Sequence, residues 1–118
     1  MPALRLSDPS ELLLRLRWLA ILSGRVSTSL AASGGVHGPE DAVKAVMAGA
    51  HAVQMVSALL RHGPEHLGRV RAGLARWLEA HEYDSLRQAQ GSMSLAHSPD
   101  PAAFERAQYL RVLAAWRS

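Results

Sequence analysis

Two short stretches of the chain carry residue types that could hold a phosphate group. One is Ser33-Gly34-Gly35, which separates a run of small residues from a predicted helix, and the other is Val56-Ser57, which follows a second apolar run. Glycines let the backbone approach a ligand, amide N–H groups in a turn point at an anion, and a hydroxyl adds a donor. A glycine pair alone more often marks a structural turn, but the two stretches together indicate an anion site.

The sequence around these stretches predicts the elements that position them. Residues 26–32 and 52–57 have the composition of short strands, the second of them buried, and residues 38–49 have the pattern of a helix. That helix has Pro39 near its first position and ends at Gly49. A strand, a helix and a strand in this order predict a βαβ unit with parallel strands. Both stretches then follow the carboxyl ends of neighbouring strands.

Helices are predicted for most of the remaining chain. The first begins at Ser7 or Asp8 and stops at Gly24. It is apolar around most of its circumference, because Arg15 and Arg17 lie about 200° apart on it. Such a helix suits a position wedged between neighbours. Further helices are predicted at 63–83, 85–90 and 101–117, and a third strand could lie at 3–7.

The predicted fold class is therefore α/β, with two or three parallel strands and a mostly helical remainder. A chain of 118 residues with 48% hydrophobic and 19% charged residues is typical of one globular domain. In this domain, residues 25–60 form the βαβ phosphate-binding core and residues 64–118 form the C-terminal helices.

The composition excludes several classes of site and partner. The absence of cysteine removes disulfides, thiolate catalysis and sulfur-rich metal sites, and it is compatible with the predicted cytoplasmic location. The net charge of +3 comes from basic residues spread among acidic ones, so no nucleic-acid partner is expected. No membrane partner is expected either, since two arginines interrupt the N-terminal apolar run and it is shorter than the ~20 residues of a membrane span.

The other polar residues give weaker signals. His62 and His66 are separated by a Gly-Pro pair and are not expected to share a helix face, so no metal site is predicted. His37 follows the glycine pair and could approach a phosphate, but a solvent-exposed loop histidine is the simpler interpretation. Ser33 and Ser57 lack the elbow motif of a serine nucleophile, so no catalytic residue is assigned.

Five motifs follow one another in the middle of the chain. They are Gly34-Gly35-Val36, Asp41-Ala42, Ala48-Gly49-Ala50, Val53-Gln54 and Ser57-Ala58. In this order they resemble the C-terminal third of the dihydroorotate dehydrogenase-like family of FMN-dependent (β/α)8 barrels. The resemblance implies the C-terminal part of a TIM barrel and FMN as the cofactor. It places the FMN phosphate on Ser33, Gly34, Gly35, Val56 and Ser57, although family members often have glycine where Val56 stands.

The same resemblance implies a function. A whole barrel takes ~250 residues, and the family's lysines near the flavin, its orotate-binding asparagines and its catalytic base match nothing in this chain. The expected function is FMN-phosphate binding by the C-terminal segment of a flavin oxidoreductase, without activity of the isolated chain. The alternative is a non-catalytic interaction or assembly module built on a partial barrel. Either function implies association with an N-terminal barrel part or another chain, and so favours an oligomer.

Overall fold

A computed structural model of the chain describes residues 6–97. The predicted helix at 101–117 lies outside these residues, as does most of the predicted strand at 3–7. In chain order, the helices and strands are α1 (Leu12–Leu22), β1 (Ala31–Ser33), α2 (Pro39–Ala48), β2 (Ala52–Gln54), α3 (Ser57–His62), α4 (His66–Ala80) and α5 (Leu86–Ala89). Single 3-10 turns at Pro9–Glu11 and Leu95–His97 precede α1 and follow α5.

The predicted βαβ unit is present. Strands β1 and β2 are parallel, with Ala32 opposite Val53 and Ser33 opposite Gln54, and α2 connects them. The fold class is thus α/β with a two-stranded parallel sheet in the described part of the chain, which is compatible with a partial TIM barrel. Helix α2 has nearly its predicted bounds, because a proline at its first position and a glycine after its last define both ends.

Both strands are shorter than predicted. Before β1, Val26 makes only an isolated bridge with Ser23, and residues 27–30 form a bend and irregular backbone. After β2, the backbone turns at Val56 (φ −125°, ψ −57°), and the Val56 carbonyl accepts a hydrogen bond from the Leu60 amide at 3.0 Å. Ser57 therefore begins a helix, and the prediction that it ends the second strand is wrong.

The two faces of the sheet differ in burial. Ala32 is buried and Val53 half-buried against an alanine-rich cluster that includes Ala45 and Ala48 of α2. Small side chains there let the helix lie close to the sheet. The alternate residues Ala31, Ser33, Ala52 and Gln54 are exposed, so the prediction of a buried second strand is wrong. In a closed barrel these alternate positions point into the barrel interior.

The predicted cap at Asp8 starts the 3-10 turn that precedes α1, whereas α1 itself begins at Leu12 and is covered on one side only. Asp8 accepts a hydrogen bond from the Ser10 amide at 2.9 Å, and Glu11 accepts one from the Asp8 amide at 3.2 Å, which together form a capping box. Leu12, Leu19, Ala20 and Ile21 are buried, whereas Leu13, Leu14 and Trp18 are 76%, 49% and 50% exposed. The prediction of a wedged helix therefore fails within residues 6–97.

Helices α4 and α5 pack against α2, and α3 packs against α4. Val70 of α4 is buried, and a Cβ atom added to Gly73 would lie 2.4 Å from Cγ of Pro39 in α2. Glycine at this position lets the two helices approach closely. Helix α5 confirms the short helix predicted at 85–90, and the Ser85 hydroxyl caps it by accepting a hydrogen bond from the Gln88 amide at 3.2 Å. The last 3-10 turn, Leu95–His97, lies against α1, and Leu95 is buried there.

Candidate functional site

The glycine turn after β1 is held in place by the start of α1. Gly34 and Gly35 have φ angles of +89° and +85°, which residues other than glycine rarely adopt. A Cβ atom on Gly34 would lie 2.7 Å from Nε of Arg15, and one on Gly35 would lie 2.6 Å from the Leu12 amide nitrogen. Both glycines are therefore required by conformation and by close packing.

Arg15 brings a positive charge to the edge of this turn. Its Nε donates a hydrogen bond to the Ser33 carbonyl at 2.6 Å, and its Nη1 donates to the Glu11 carbonyl at 2.9 Å. These contacts hold the guanidinium group beside Gly34. Sequence reasoning did not assign Arg15 to the site; the available signal was a pair of arginines, Arg15 and Arg17, in an otherwise apolar helix that precedes the turn.

The hydroxyl groups of two serines connect the turn to the loop after β2. Oγ of Ser57 lies 2.8 Å from Oγ of Ser7, and Ser7 Oγ accepts a long hydrogen bond of 3.5 Å from the Gly35 amide. Ser57 is buried and Ser7 half-buried. The two predicted stretches therefore meet, as their placement at neighbouring strand ends requires. The sequence predicts Ser7 as a helix cap or as the last residue of a possible strand at 3–7; because Asp8 is the cap, the Ser7 hydroxyl is available to the cluster.

His37 joins the same cluster. Its Nε2 lies 3.3 Å from the Ser57 hydroxyl oxygen, and its ring is half-buried, so the interpretation as a solvent-exposed loop histidine is wrong. Its Nδ1 is buried and has no hydrogen-bond partner in the described structure. The peptide groups of His37 are also fixed, because its amide donates to Oδ2 of Asp41 at 3.0 Å and its carbonyl accepts a hydrogen bond from Nε2 of His66.

The two residues that precede α2 do not contribute free amides to this cluster. Oδ2 of Asp41 accepts hydrogen bonds from the amides of both His37 and Gly38, at 3.0 and 3.2 Å. An anion near Ser57 would therefore meet the glycine turn and the hydroxyl groups, because the amides of His37 and Gly38 are already bonded. The Asp41 carboxylate likewise accepts hydrogen bonds from the two backbone amides just before its own helix.

The other two predicted contact residues lie at the border of the cluster. Ser33 is exposed at the end of β1, and its carbonyl is the acceptor for Arg15. Val56 is 70% exposed and immediately precedes α3, so it can contribute only its backbone groups beside Ser57. Neither residue contributes a side chain to the hydrogen bonds that join Ser7, Ser57 and His37.

Other kinds of site find little support between residues 6 and 97. The rings of His62 and His66 are 4.7 Å apart, but no group of three or more potential metal-ligating side chains occurs in this part of the chain. No helix among the described residues is both long enough and apolar enough to cross a membrane.

Known proteins share part of this sequence. No family model matches the chain. It is 42% identical over 76 residues to a dihydroorotate dehydrogenase (quinone) from Anaeromyxobacter sp. (strain K), which covers 64% of this chain and 20% of that protein. It is 38% identical over 72 residues to the dihydroorotate dehydrogenase (quinone) of Azorhizobium caulinodans, covering 61% of this chain and 20% of that protein. The chain matches about a fifth of the length of these curated relatives. Over nearly two thirds of its own length, it is thus homologous to dihydroorotate dehydrogenases, as its motifs predicted.

Proposed function

We propose that this chain provides the FMN-phosphate-binding segment of a dihydroorotate dehydrogenase-like flavin oxidoreductase. The observation that carries the proposal is the junction of the glycine turn and the Ser57 hydroxyl, through Ser7, at the carboxyl ends of two adjacent parallel strands. Loops in this position commonly bind phosphate groups in (β/α)8 barrels.

The chemistry of the donors fits an anionic group. Amides of Gly34, Gly35 and Val56 and the hydroxyl of Ser57 are neutral donors, and Arg15 adds a positive charge held against Gly34 through the carbonyl of Ser33. The carboxylate of Asp41, which follows the turn, is bonded to two backbone amides. Donors fixed in place before the ligand arrives need no reorganisation, which favours binding of a phosphate.

In this proposal the chain anchors a flavin whose ring would accept a hydride from the substrate. The residues of this chain bind the phosphate and thereby position the ring. The substrate-binding groups and the catalytic base belong to other parts of the enzyme, so we expect no turnover of dihydroorotate by the 118 residues alone. Robust oxidation of dihydroorotate by the purified chain would contradict this assignment.

Retention of the flavin provides a direct test. The purified chain is mixed with FMN, passed through a desalting column and examined for the visible absorbance of flavin. We expect FMN to remain with the wild-type chain and to be lost from Ser57→Ala. Ser29→Ala is the matched control, because Ser29 is exposed and precedes β1, at the end away from the glycine turn. Equal loss of FMN from the wild type and from Ser57→Ala would refute the proposal.

A second candidate function is assembly with another polypeptide chain. Leu13, Leu14 and Trp18 of α1 are exposed, and one face of the two-stranded sheet is uncovered in the described structure. Exposed apolar patches and unpaired strand edges are common association surfaces. Sedimentation across a range of concentrations tests this function: self-association or binding to a barrel-completing chain supports it, and a strictly monomeric, non-binding chain contradicts it.

A further inference from the structure

We propose that Ser7 is an additional phosphate ligand and that His37 positions the hydroxyl groups that bind the phosphate. The proposal rests on the proposed function and specifies the chemistry of the same site. It assigns to the site a preference for groups that only accept hydrogen bonds, such as the terminal oxygens of a phosphomonoester dianion.

The first step concerns the proton of the His37 ring. A neutral imidazole carries one N–H group, and its other nitrogen is an acceptor. Nδ1 of His37 is buried without a hydrogen-bond partner, whereas Nε2 lies 3.3 Å from Oγ of Ser57. Nδ1 lacks a partner in either tautomer, but a buried N–H group without an acceptor is rarer in proteins than an unpaired acceptor. The arrangement therefore favours the proton on Nε2, from which it is donated to Ser57.

The second step concerns the hydroxyl protons. When Ser57 Oγ accepts from His37, its own proton is free to be donated: to Ser7 Oγ, which lies 2.8 Å away, when no ligand is bound, and to a phosphate oxygen when one is. Ser7 Oγ also accepts from the Gly35 amide at 3.5 Å. With both of these groups donating to it, the Ser7 hydroxyl must direct its own proton elsewhere. His37 thus determines the direction of donation along the series His37, Ser57 and Ser7.

The third step concerns the ligand that suits these donors. The hydrogen bond from the Gly35 amide to Ser7 is longer than usual, so an oxygen with negative charge would be a better acceptor for that amide. The Ser7 proton is a second donor, and the Arg15 guanidinium lies against the same turn. All of these groups donate. A phosphate dianion accepts from each of them, whereas a hydroxyl or amide ligand would bring donors of its own.

The backbone of His37 is held in a way that suits a positioning residue. Asp41 accepts its amide proton, and His66 donates to its carbonyl oxygen, so its peptide groups are bonded on both sides. The ring is thereby presented to Ser57 from a fixed backbone. His37 acts on the phosphate through Ser57, whereas Ser7 would contact the phosphate directly.

The test compares FMN with riboflavin, which lacks the phosphate, by quenching of flavin fluorescence. We expect Ser7→Ala and His37→Phe each to weaken FMN binding about tenfold, since each removes or misdirects a hydrogen bond to a charged group. His37→Gln can still donate to Ser57 and should bind FMN within about threefold of the wild type. Riboflavin affinity should be the same in all four proteins, and circular dichroism checks that each variant is folded.

The outcomes separate this inference from the proposed function. If the wild type binds FMN no better than riboflavin, the phosphate site itself is refuted, and this inference with it. If the wild type prefers FMN but Ser7→Ala and His37→Phe bind it as well as the wild type, only this inference is overturned. If His37→Gln is as weak as His37→Phe, the positioning role of His37 is overturned.

A second measurement needs no variant. Nitrogen-15 NMR of the wild-type imidazole rings distinguishes the two neutral tautomers. We expect His37 to carry its proton on Nε2 in the neutral form, both with and without added inorganic phosphate. A proton on Nδ1 would reverse the direction of donation and overturn the role assigned to His37.

Discussion

Nε of Arg15 donates a hydrogen bond of 2.6 Å to the carbonyl oxygen of Ser33, and this contact ties α1 to the turn that follows β1. The guanidinium group lies where a side chain on Gly34 would have to be. One arginine thus fixes the last residue of a strand, excludes every residue but glycine from the next position and leaves a positive charge beside the proposed phosphate site.

Replacement of Gly34 by alanine should destabilise the fold. The added Cβ atom would meet Arg15 at 2.7 Å, and the φ angle of +89° is strained for alanine. We expect the free energy of unfolding to fall by about 1–3 kcal/mol, measured by chemical denaturation. Gly38→Ala is the control, because no atom lies within 4 Å of a Cβ there and its backbone is extended. Equal losses in the two variants would contradict the steric account of the turn.

Loss of the Arg15 charge should weaken binding of the phosphate group. We expect Arg15→Met to reduce FMN affinity about three- to tenfold at low ionic strength, with a smaller difference at high salt because salt screens the interaction. Arg87→Met removes the same charge from α5, which packs at the other end of α2 from the turn. Both variants are titrated with FMN. An equal loss of FMN affinity would show that only the net charge of the chain affects binding, and would contradict a local role for Arg15.

Two glycines of α4 should respond in opposite directions to alanine. A Cβ atom on Gly73 would lie 2.4 Å from Pro39, so Gly73→Ala should cost about 1–3 kcal/mol of stability. A Cβ atom on Gly68 would enter open space, so Gly68→Ala should raise stability by about 0.5–1 kcal/mol through its better helix propensity. Thermal and chemical unfolding of the pair measures both. A stable Gly73→Ala variant would contradict the close packing of α4 on α2.

The carboxylate of Asp41 should stabilise the start of α2. It accepts hydrogen bonds from the amides of His37 and Gly38, and alanine would leave both donors without that acceptor. We expect Asp41→Ala to lower the free energy of unfolding by about 1–2 kcal/mol. Glu40→Ala, at the exposed neighbouring position, should change it by less than about 0.5 kcal/mol. Similar losses in both variants would rule out this role for Asp41.

The βαβ core could be predicted because its signals are local. Pro39 and Gly49 define both ends of α2, and the glycine pair ends β1. Each boundary is therefore set by residue types at the boundary itself. The same local signals predict strands that are too long. Val26 and Val56 have strand-forming side chains but lie where the backbone turns. Propensity could not reveal those turns, since they depend on what each segment packs against.

The remaining site residues could not be predicted because their contacts are distant in sequence. Arg15 reaches Ser33 across 18 residues, the Gly35 amide meets Ser7 across 28, and His37 meets Ser57 across 20. These pairs form only when α1 and α3 have docked beside the sheet. Periodicity and spacing identify the two stretches that carry Gly35 and Ser57, whereas their neighbours in space follow from the packing of whole elements.

The preference of the chain for FMN over riboflavin tests the central claim most directly. Both ligands carry the flavin ring, and only FMN carries the phosphate that the turn at Gly34 and Gly35 and the Ser57 hydroxyl are proposed to hold. Fluorescence titration of the 118-residue chain should give an affinity for FMN at least about tenfold higher than for riboflavin, and Ser57→Ala should remove most of that difference. Equal affinity for the two flavins, or a preference that Ser57→Ala leaves intact, would contradict the account.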